Sequence, residues 1–174
     1  MPAISNYIVS QNQAGGNTKL PFEGCAIGNG LVNPAVQYPQ YANFSYLNGL
    51  ISKFDLEKYA VELKPCLAAV KVGAYETAYS LCNAVSQGIM SASGIANPYN
   101  IHAGCPVPGL CYQFGAATSF LNEAAVQQAI GVNNIQWQSC NMEVNQMFSR
   151  DWMHDMSTRL LNVIEANHTV LVYR

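Results

Sequence analysis

The chain has 174 residues, enough for one domain with a sizeable buried core. Hydrophobic residues make up 50% of it, which excludes a wholly disordered chain. Charged residues make up only 10%, against roughly 25% in an average domain, and the net charge is −2, so five Lys and three Arg scattered along the chain cannot build a nucleic-acid-binding face. Amides take the place of charge: 17 Asn and 11 Gln outnumber the 8 basic and 10 acidic residues. Residues 77–122 contain no Asp, Glu, Lys or Arg. This stretch is still no membrane span, because Asn83, Gln87, Asn97, Pro98, Pro106 and Pro108 interrupt every window of about 20 residues.

Pro2 to Gln13 reads as a short helix with Ile4, Tyr7 and Ile8 along one face, and no signal peptide opens the chain. Ala14 to Asn17 reads as a turn. Leu20 to Ile27 reads as a strand apolar on both faces, ending in Gly28-Asn29-Gly30. Those glycines invite a dinucleotide reading, but Asn33 stands where a third glycine belongs and no acidic residue follows about 20 positions later. A tight turn explains them, and Asn33-Pro34 is expected to forbid a helix directly afterwards. An αβ pattern thus begins and then gives way to helical periodicity from Tyr38 to Met90.

Within that region Phe54, Tyr59, Leu63, Leu67 and Val70 fit one helix interrupted at Pro65, and Tyr75, Ala78, Tyr79, Cys82 and Val85 fit another. Ser91 to Ala117 is rich in Gly, Pro and Ser and reads as irregular. Asn122 is expected to cap a helix from Glu123 to Ile130, stopped by Gly131. Asn141 to Phe148 and Trp152 to Glu165 read as further helices, and Thr169 to Tyr173 as a β-branched strand. Two strands so far apart cannot protect their own sheet edges, so the outline looks like the middle of something larger, with self-association or partner binding at its open faces.

Six Cys are present, none in a CxxC pair or in zinc spacing. Cys105 and Cys111 bracket Pro106, Pro108 and Gly109, where a small disulfide ring closes easily. Cys66 and Cys82 flank a helix–turn–helix that a bond between them would staple. Cys25 reads as a buried free thiol, and Cys140 has no obvious mate. Two sequons, Asn43-Phe44-Ser45 and Asn167-His168-Thr169, join the pairable Cys in pointing to the secretory route, lysosomal, vacuolar or secreted. Asp151, His154 and Asp155 share one helical turn but read as a solvated face rather than a metal or acid–base site. No Gly-x-Ser-x-Gly elbow occurs, and His102 and His168 have no argued nucleophile. Neither a cofactor nor a metal is expected. Tyr99, Tyr112, Phe114 and Trp137 read as core.

The run from Phe22 to Pro34, FEGCAIGNGLVNP, resembles the G-I-A-I-G-N-G-x-x-[DN]-P segment of serine carboxypeptidases of the carboxypeptidase Y and cathepsin A type. Further pieces follow in that family's order. Met1-Pro2-Ala3 with Tyr7-Ile8 resembles the helix after the nucleophile elbow, and Asn97 to Ile101 resembles N-x-Y-[DN]-[IL]. Leu121 to Val132 resembles L-N-x-x-x-V-[QR]-x-A-[LI]-G-V. Ser139-Cys140-Asn141, Asp151-Trp152-Met153 and Leu171-Val172-Tyr173 complete the set.

The resemblance implies part of an α/β-hydrolase fold. Residues 1–37 would form a core helix and strand, residues 38–117 a cap insertion, helical then irregular, and residues 118–174 the return to the core. It implies peptide substrates, with Tyr99 and Tyr112 lining the cleft and Ser139 and Cys140 beside the specificity pocket. It pairs Cys66 with Cys82 and Cys105 with Cys111, and sets Cys140 against a Cys upstream of this chain. The family's catalytic Ser would precede Pro2 and its Asp and His would follow Tyr173, where Arg174 departs from the family pattern. The chain is therefore expected to be inactive without the remainder of the hydrolase core. An acyltransferase on the same scaffold, or a truncated non-catalytic binding protein, are the competing expectations.

Overall fold

The computed structural model describes residues 1–15, 18–94, 97–107, 111–132, 134–149 and 151–173. The expected turn at Gly16-Asn17, the Pro108-Gly109 stretch and Arg174 lie outside the described residues. The architecture is mostly helical with one two-stranded parallel sheet, consistent with a partial α/β fold. In order, α1 spans Pro2–Gln13, β1 Gly24–Gly28, α2 Pro34–Leu47, α3 Lys53–Glu62, α4 Lys64–Lys71 and α5 Tyr75–Ser93. There follow α6 at Gly115–Leu121, α7 at Ala124–Ala129, α8 at Met142–Met147, a 3₁₀ turn at Asp151–Met153, α9 at Ser157–Glu165 and β2 at Thr169–Tyr173.

β1 pairs with β2 from Gly24 opposite Thr169 to Gly28 opposite Tyr173. A Cβ on Gly24 would run into the Thr169 carbonyl, so only glycine lets the strands meet at this end. The strand is shorter than the expected Leu20 to Ile27 and is not covered on both faces: Ile27 is buried, while Cys25 is only partly buried. α1 lies against α9, where the Asn162 amide donates to Asn6 at 3.0 Å. The stripe chosen for α1 is not its buried face. Ser5 and Val9 point inward, whereas Ile4 and Tyr7 are 62% and 63% exposed. A hydrophobic stripe locates a buried face only where a partner covers it, and here the smaller side chains meet α9.

Asn33-Pro34 starts α2 instead of forbidding a helix. Proline at the first helical position lacks only an N–H that would have no intrahelical partner, and Asn33, in extended conformation, accepts from the Val36 N–H at 3.2 Å. The restriction on the residue before proline is thus satisfied by an N-cap. Ser52 caps α3 with a reciprocal box to Asp55. The interrupted helix expected around Pro65 is the pair α3 and α4, with Leu63 at the joint and Pro65 in the first turn of α4.

The core lies among α2, α3, α4 and α5, with Met153 from the 3₁₀ turn inserted into it and fully buried. α5 contributes Ala78, Cys82, Val85 and Ile89, one stripe at helical spacing. Cys66 and Cys82 are bonded in the middle of this core. The Tyr59 hydroxyl donates to the Gly88 carbonyl at 2.7 Å, and the ring lies so close that a side chain at 88 would press on it. The Tyr38 hydroxyl donates to Asn83 Oδ1 at 3.2 Å.

Burial, helped by the neighbouring Tyr41 and Tyr79 phenols, pushes the Tyr38 hydroxyl up to about 12. A folded-state value above the unfolded one stabilises fully below about pH 10 and loses that contribution as pH rises toward the folded value. The expected result is a fall in urea midpoint between pH 10 and 11.5 that is shallower in Tyr38→Phe. Parallel profiles for the two proteins would refute the assignment.

Two other expectations change. Asn122 does not cap the helix after it. Glu123 is the first residue before α7, while the Asn122 amide donates to the Thr118 and Trp137 carbonyls and accepts from the Trp137 N–H at 2.8 Å. A long-range bridge has won over a local cap. Trp152 to Glu165 is not one helix, because residues 154–156 separate the 3₁₀ turn from α9, and the Met156 N–H donates instead to the Val32 carbonyl at 2.8 Å. That bond ties the start of α9 to the segment leaving β1.

Candidate functional site

Asn97 is the organising side chain of the irregular segment after α5. It is 2% exposed. Its Oδ1 accepts from the Tyr99 N–H at 2.9 Å and the Asn100 N–H at 3.2 Å, an Asx turn that satisfies two donors in a stretch lacking helix or sheet. Its Nδ2 donates to the Gly104 carbonyl and to the Tyr112 hydroxyl, each at 3.4 Å. One buried amide therefore holds both Tyr99 and Tyr112. Their rings sit 5.8 Å apart between centroids at 58°, a favourable tilted pair. The Cys105–Cys111 disulfide closes the loop between them, and Cys111 adopts a left-handed φ of 61°.

The tyrosines are not core. Tyr99 is 60% and Tyr112 48% exposed, Phe114 is also exposed, and Trp137 is only half-buried. With few charges available, a loop of this composition shows its aromatic faces to the outside while an amide holds its centre. Such a pair can receive an apolar or aromatic group by stacking and offers two hydroxyls at its edge. Sequence reasoning missed Asn97. Its signal was available, as an Asn two residues before Tyr99 and three before Asn100 in a run without regular periodicity.

Ser139 and Cys140 are exposed on the segment after Trp137. Asn122 and Gln127 pin the residues just before it, donating to the Trp137 carbonyl and, at 2.6 Å, to the Ile135 carbonyl. No described hydrogen bond or ring contact joins Ser139 or Cys140 to the tyrosine pair. Cys140 and Cys25 are free thiols. Asn43 lies on the exposed side of α2 and Asn167 in the turn before β2.

Asp151, His154 and Asp155 do not converge. The His154 ring lies 3.8 Å from that of Tyr75, and Asp155 accepts from both the N–H and the hydroxyl of Ser157. Among the described residues no group of three His, Cys, Asp or Glu is placed to hold a metal ion, and none of the three imidazoles hydrogen-bonds to a serine or a carboxylate. His168 packs edge-on against Phe22 at 5.1 Å. Among the described residues no helix is long and apolar enough to cross a membrane. Two open depressions, about 350 Å³ at Gly73 to Thr77 and about 360 Å³ along α9 from Ser157 to Ile164, lie apart from the tyrosine pair.

No solved structure matches the chain. The chain is 33% identical over 179 residues to serine carboxypeptidase 3 of Hordeum vulgare, covering 99% of this chain and 35% of that protein. It is 31% identical to serine carboxypeptidase-like 49 of Arabidopsis thaliana, covering 34% of that protein, and 32% identical to a serine carboxypeptidase-like protein of Pisum sativum, covering 63% of it. The chain thus spans about a third of the length of most of these curated relatives. The sequence model described as serine carboxypeptidase matches residues 1–174. With that match running unbroken from the first residue to the last, the chain belongs to the serine carboxypeptidase family.

Proposed function

We propose that residues 1–174 form the cap-bearing middle portion of a serine carboxypeptidase that releases C-terminal residues from peptides. In this reading residues 1–37 and 118–174 belong to an α/β-hydrolase core, and residues 38–117 form the cap over its cleft. Tyr99 and Tyr112 wall the cleft, with Ser139 and Cys140 near the pocket that selects the terminal side chain. The nucleophilic Ser, its His base and the Asp that orients the imidazole come from polypeptide outside these residues, as do the amides that stabilise the oxyanion. The chain alone is then catalytically silent. The two disulfides suit folding along the secretory route to a vacuole, a lysosome or the exterior.

The observation that carries this reading is the unbroken family match over a chain whose sheet is left open. Leu171, Val172 and Tyr173 are each more than half exposed on β2, as are Ile4 and Tyr7 on α1. A two-stranded sheet with an apolar, uncovered surface needs further strands or layers to be stable.

The test is a chimera in which residues 1–174 replace the matched segment of the Hordeum vulgare relative. It should release the terminal residue of an N-blocked dipeptide, while the 174-residue chain alone should not. Turnover by the isolated chain that a serine-directed reagent abolishes would overturn the reading. So would a folded chimera without activity.

A further inference from the structure

We propose that Gln37 is a positioning residue for substrate binding: its side-chain amide clamps residues 30–33 at the carboxyl end of the sheet, where α2 leaves for the cap. This role rests on the carboxypeptidase reading and adds to it a residue that acts through the backbone of its neighbours.

β1 and β2 run parallel, so both strands end together at Gly28 and Tyr173. Ligands of open parallel α/β sheets bind in the crevice beyond the carboxyl ends of the strands. The first backbone past that end is residues 29–33. The Asn29 N–H extends the ladder by one bond, to the Tyr173 carbonyl at 3.0 Å. A left-handed φ of 54° at Asn29 then turns the chain out of the sheet. Gly30 passes so close to Ile27 that a Cβ would strike that side chain. A chain that leaves a sheet by such a turn has no ladder to satisfy its next polar groups.

Gln37 supplies the partners from the start of α2. Its Oε1 accepts from the Val32 N–H at 2.7 Å and the Asn33 N–H at 2.9 Å, and its Nε2 donates to the Gly30 carbonyl at 3.0 Å. Among the described residues none of these three backbone groups has another partner. The side chain is half-buried, and three bonds to one planar amide hold the segment in a single shape. The rest of the segment is tied to its surroundings. The Val32 carbonyl accepts from the Met156 N–H at 2.8 Å, the Asn33 amide donates to Ser157 Oγ at 3.3 Å, and Leu31 packs against the core cluster. One short stretch thus joins the end of the sheet, the start of α2 and the start of α9. Loosening it shifts the cap against the sheet, two walls of the proposed cleft, without touching a reacting group. Misplaced walls weaken binding.

The experiment compares Gln37→Met and Gln37→Glu in the chimera with the Hordeum vulgare relative. Met keeps the volume and the helix propensity but has no donor and only a weak acceptor. Glu keeps the acceptor for both N–H groups and loses the donor to Gly30. The expected result is a KM raised severalfold in Gln37→Met with kcat changed less, and a smaller rise in Gln37→Glu. A side chain that served stability alone would lower the folded fraction, hence the apparent kcat, and leave KM unchanged. Hydrogen exchange of the peptide spanning residues 28–36, read by mass spectrometry, should find the Val32 and Asn33 amides unprotected in Gln37→Met and still protected in Gln37→Glu. An unchanged KM in Gln37→Met, a loss confined to kcat, equal impairment of the two variants, or unchanged exchange in Gln37→Met would overturn the proposal. A folded but silent wild-type chimera would defeat the peptidase reading and with it the role in substrate binding. The exchange measurement needs no substrate and judges the clamp by itself.

Discussion

Replacing Cys66 and Cys82 together by Ala should lower the unfolding free energy by about 3 kcal/mol, the loop-closure value for a ring of this size. The sequence separation is 16, and both residues are 0% exposed at the centre of the core. Deleting the bond restores freedom to the unfolded chain between α4 and α5, and removing two buried sulfurs leaves a void in the core cluster. The two effects have the same sign. The second disulfide, Cys105–Cys111, has a separation of only 6 and should contribute less by the same relation, about 2.4 kcal/mol. It lies outside the buried cluster, so its loss should loosen the tyrosine loop without dissolving the helices. Urea denaturation of the three oxidised proteins, read by far-ultraviolet circular dichroism, decides the matter. A loss below about 1 kcal/mol for the Cys66 and Cys82 pair would show that α4 and α5 hold together by side-chain packing alone.

That staple shows which parts of the fold a sequence discloses. The α4–α5 pair was legible because two independent signals coincide there, helical spacing in Tyr75 to Val85 and two Cys placed to face each other, with Pro65 marking the start of α4. β2 was legible because Thr169 to Tyr173 is short, β-branched and apolar. The failures share one cause. Ile4, Tyr7 and Ile8 share one apolar face of α1, yet that face is not the buried one, and Asn122 reads as the cap of the nearest helix because caps are local. In both cases a distant partner decides: α9 selects the buried face of α1, and Trp137 captures the Asn122 amide. The tyrosine pair failed in the same way, since an aromatic side chain carries no sign of whether it fills a core or walls a cleft. The family resemblance, rather than periodicity, singled out Tyr99 and Tyr112. The resemblance includes Asn97 as the first residue of N-x-Y-[DN]-[IL] but gives it no role.

Asn97→Ala should therefore be the most damaging single change in the candidate site, costing about 2–3 kcal/mol of local stability. Alanine leaves the Tyr99 N–H without its acceptor and the Gly104 carbonyl without a donor around a side chain that is only 2% exposed, while the Asn100 N–H keeps the backbone carbonyl of residue 97 at 3.3 Å. Tyr112→Phe removes only the 3.4 Å bond to a half-exposed hydroxyl and should cost less than about 1 kcal/mol. The contrast isolates the Asx turn as the element that sets the aromatic pair. Ring-to-ring nuclear Overhauser effects between Tyr99 and Tyr112 should disappear in Asn97→Ala and survive in Tyr112→Phe. If the tyrosine pair walls the cleft as proposed, Asn97→Ala in the chimera with the Hordeum vulgare relative should raise KM severalfold and change kcat less, because a wall that loses its shape weakens binding before it disturbs the chemistry. Equal losses from both substitutions would mean that the hydroxyl bond, not the turn, positions the rings. Unchanged KM in a folded Asn97→Ala chimera would remove the tyrosine pair from the cleft.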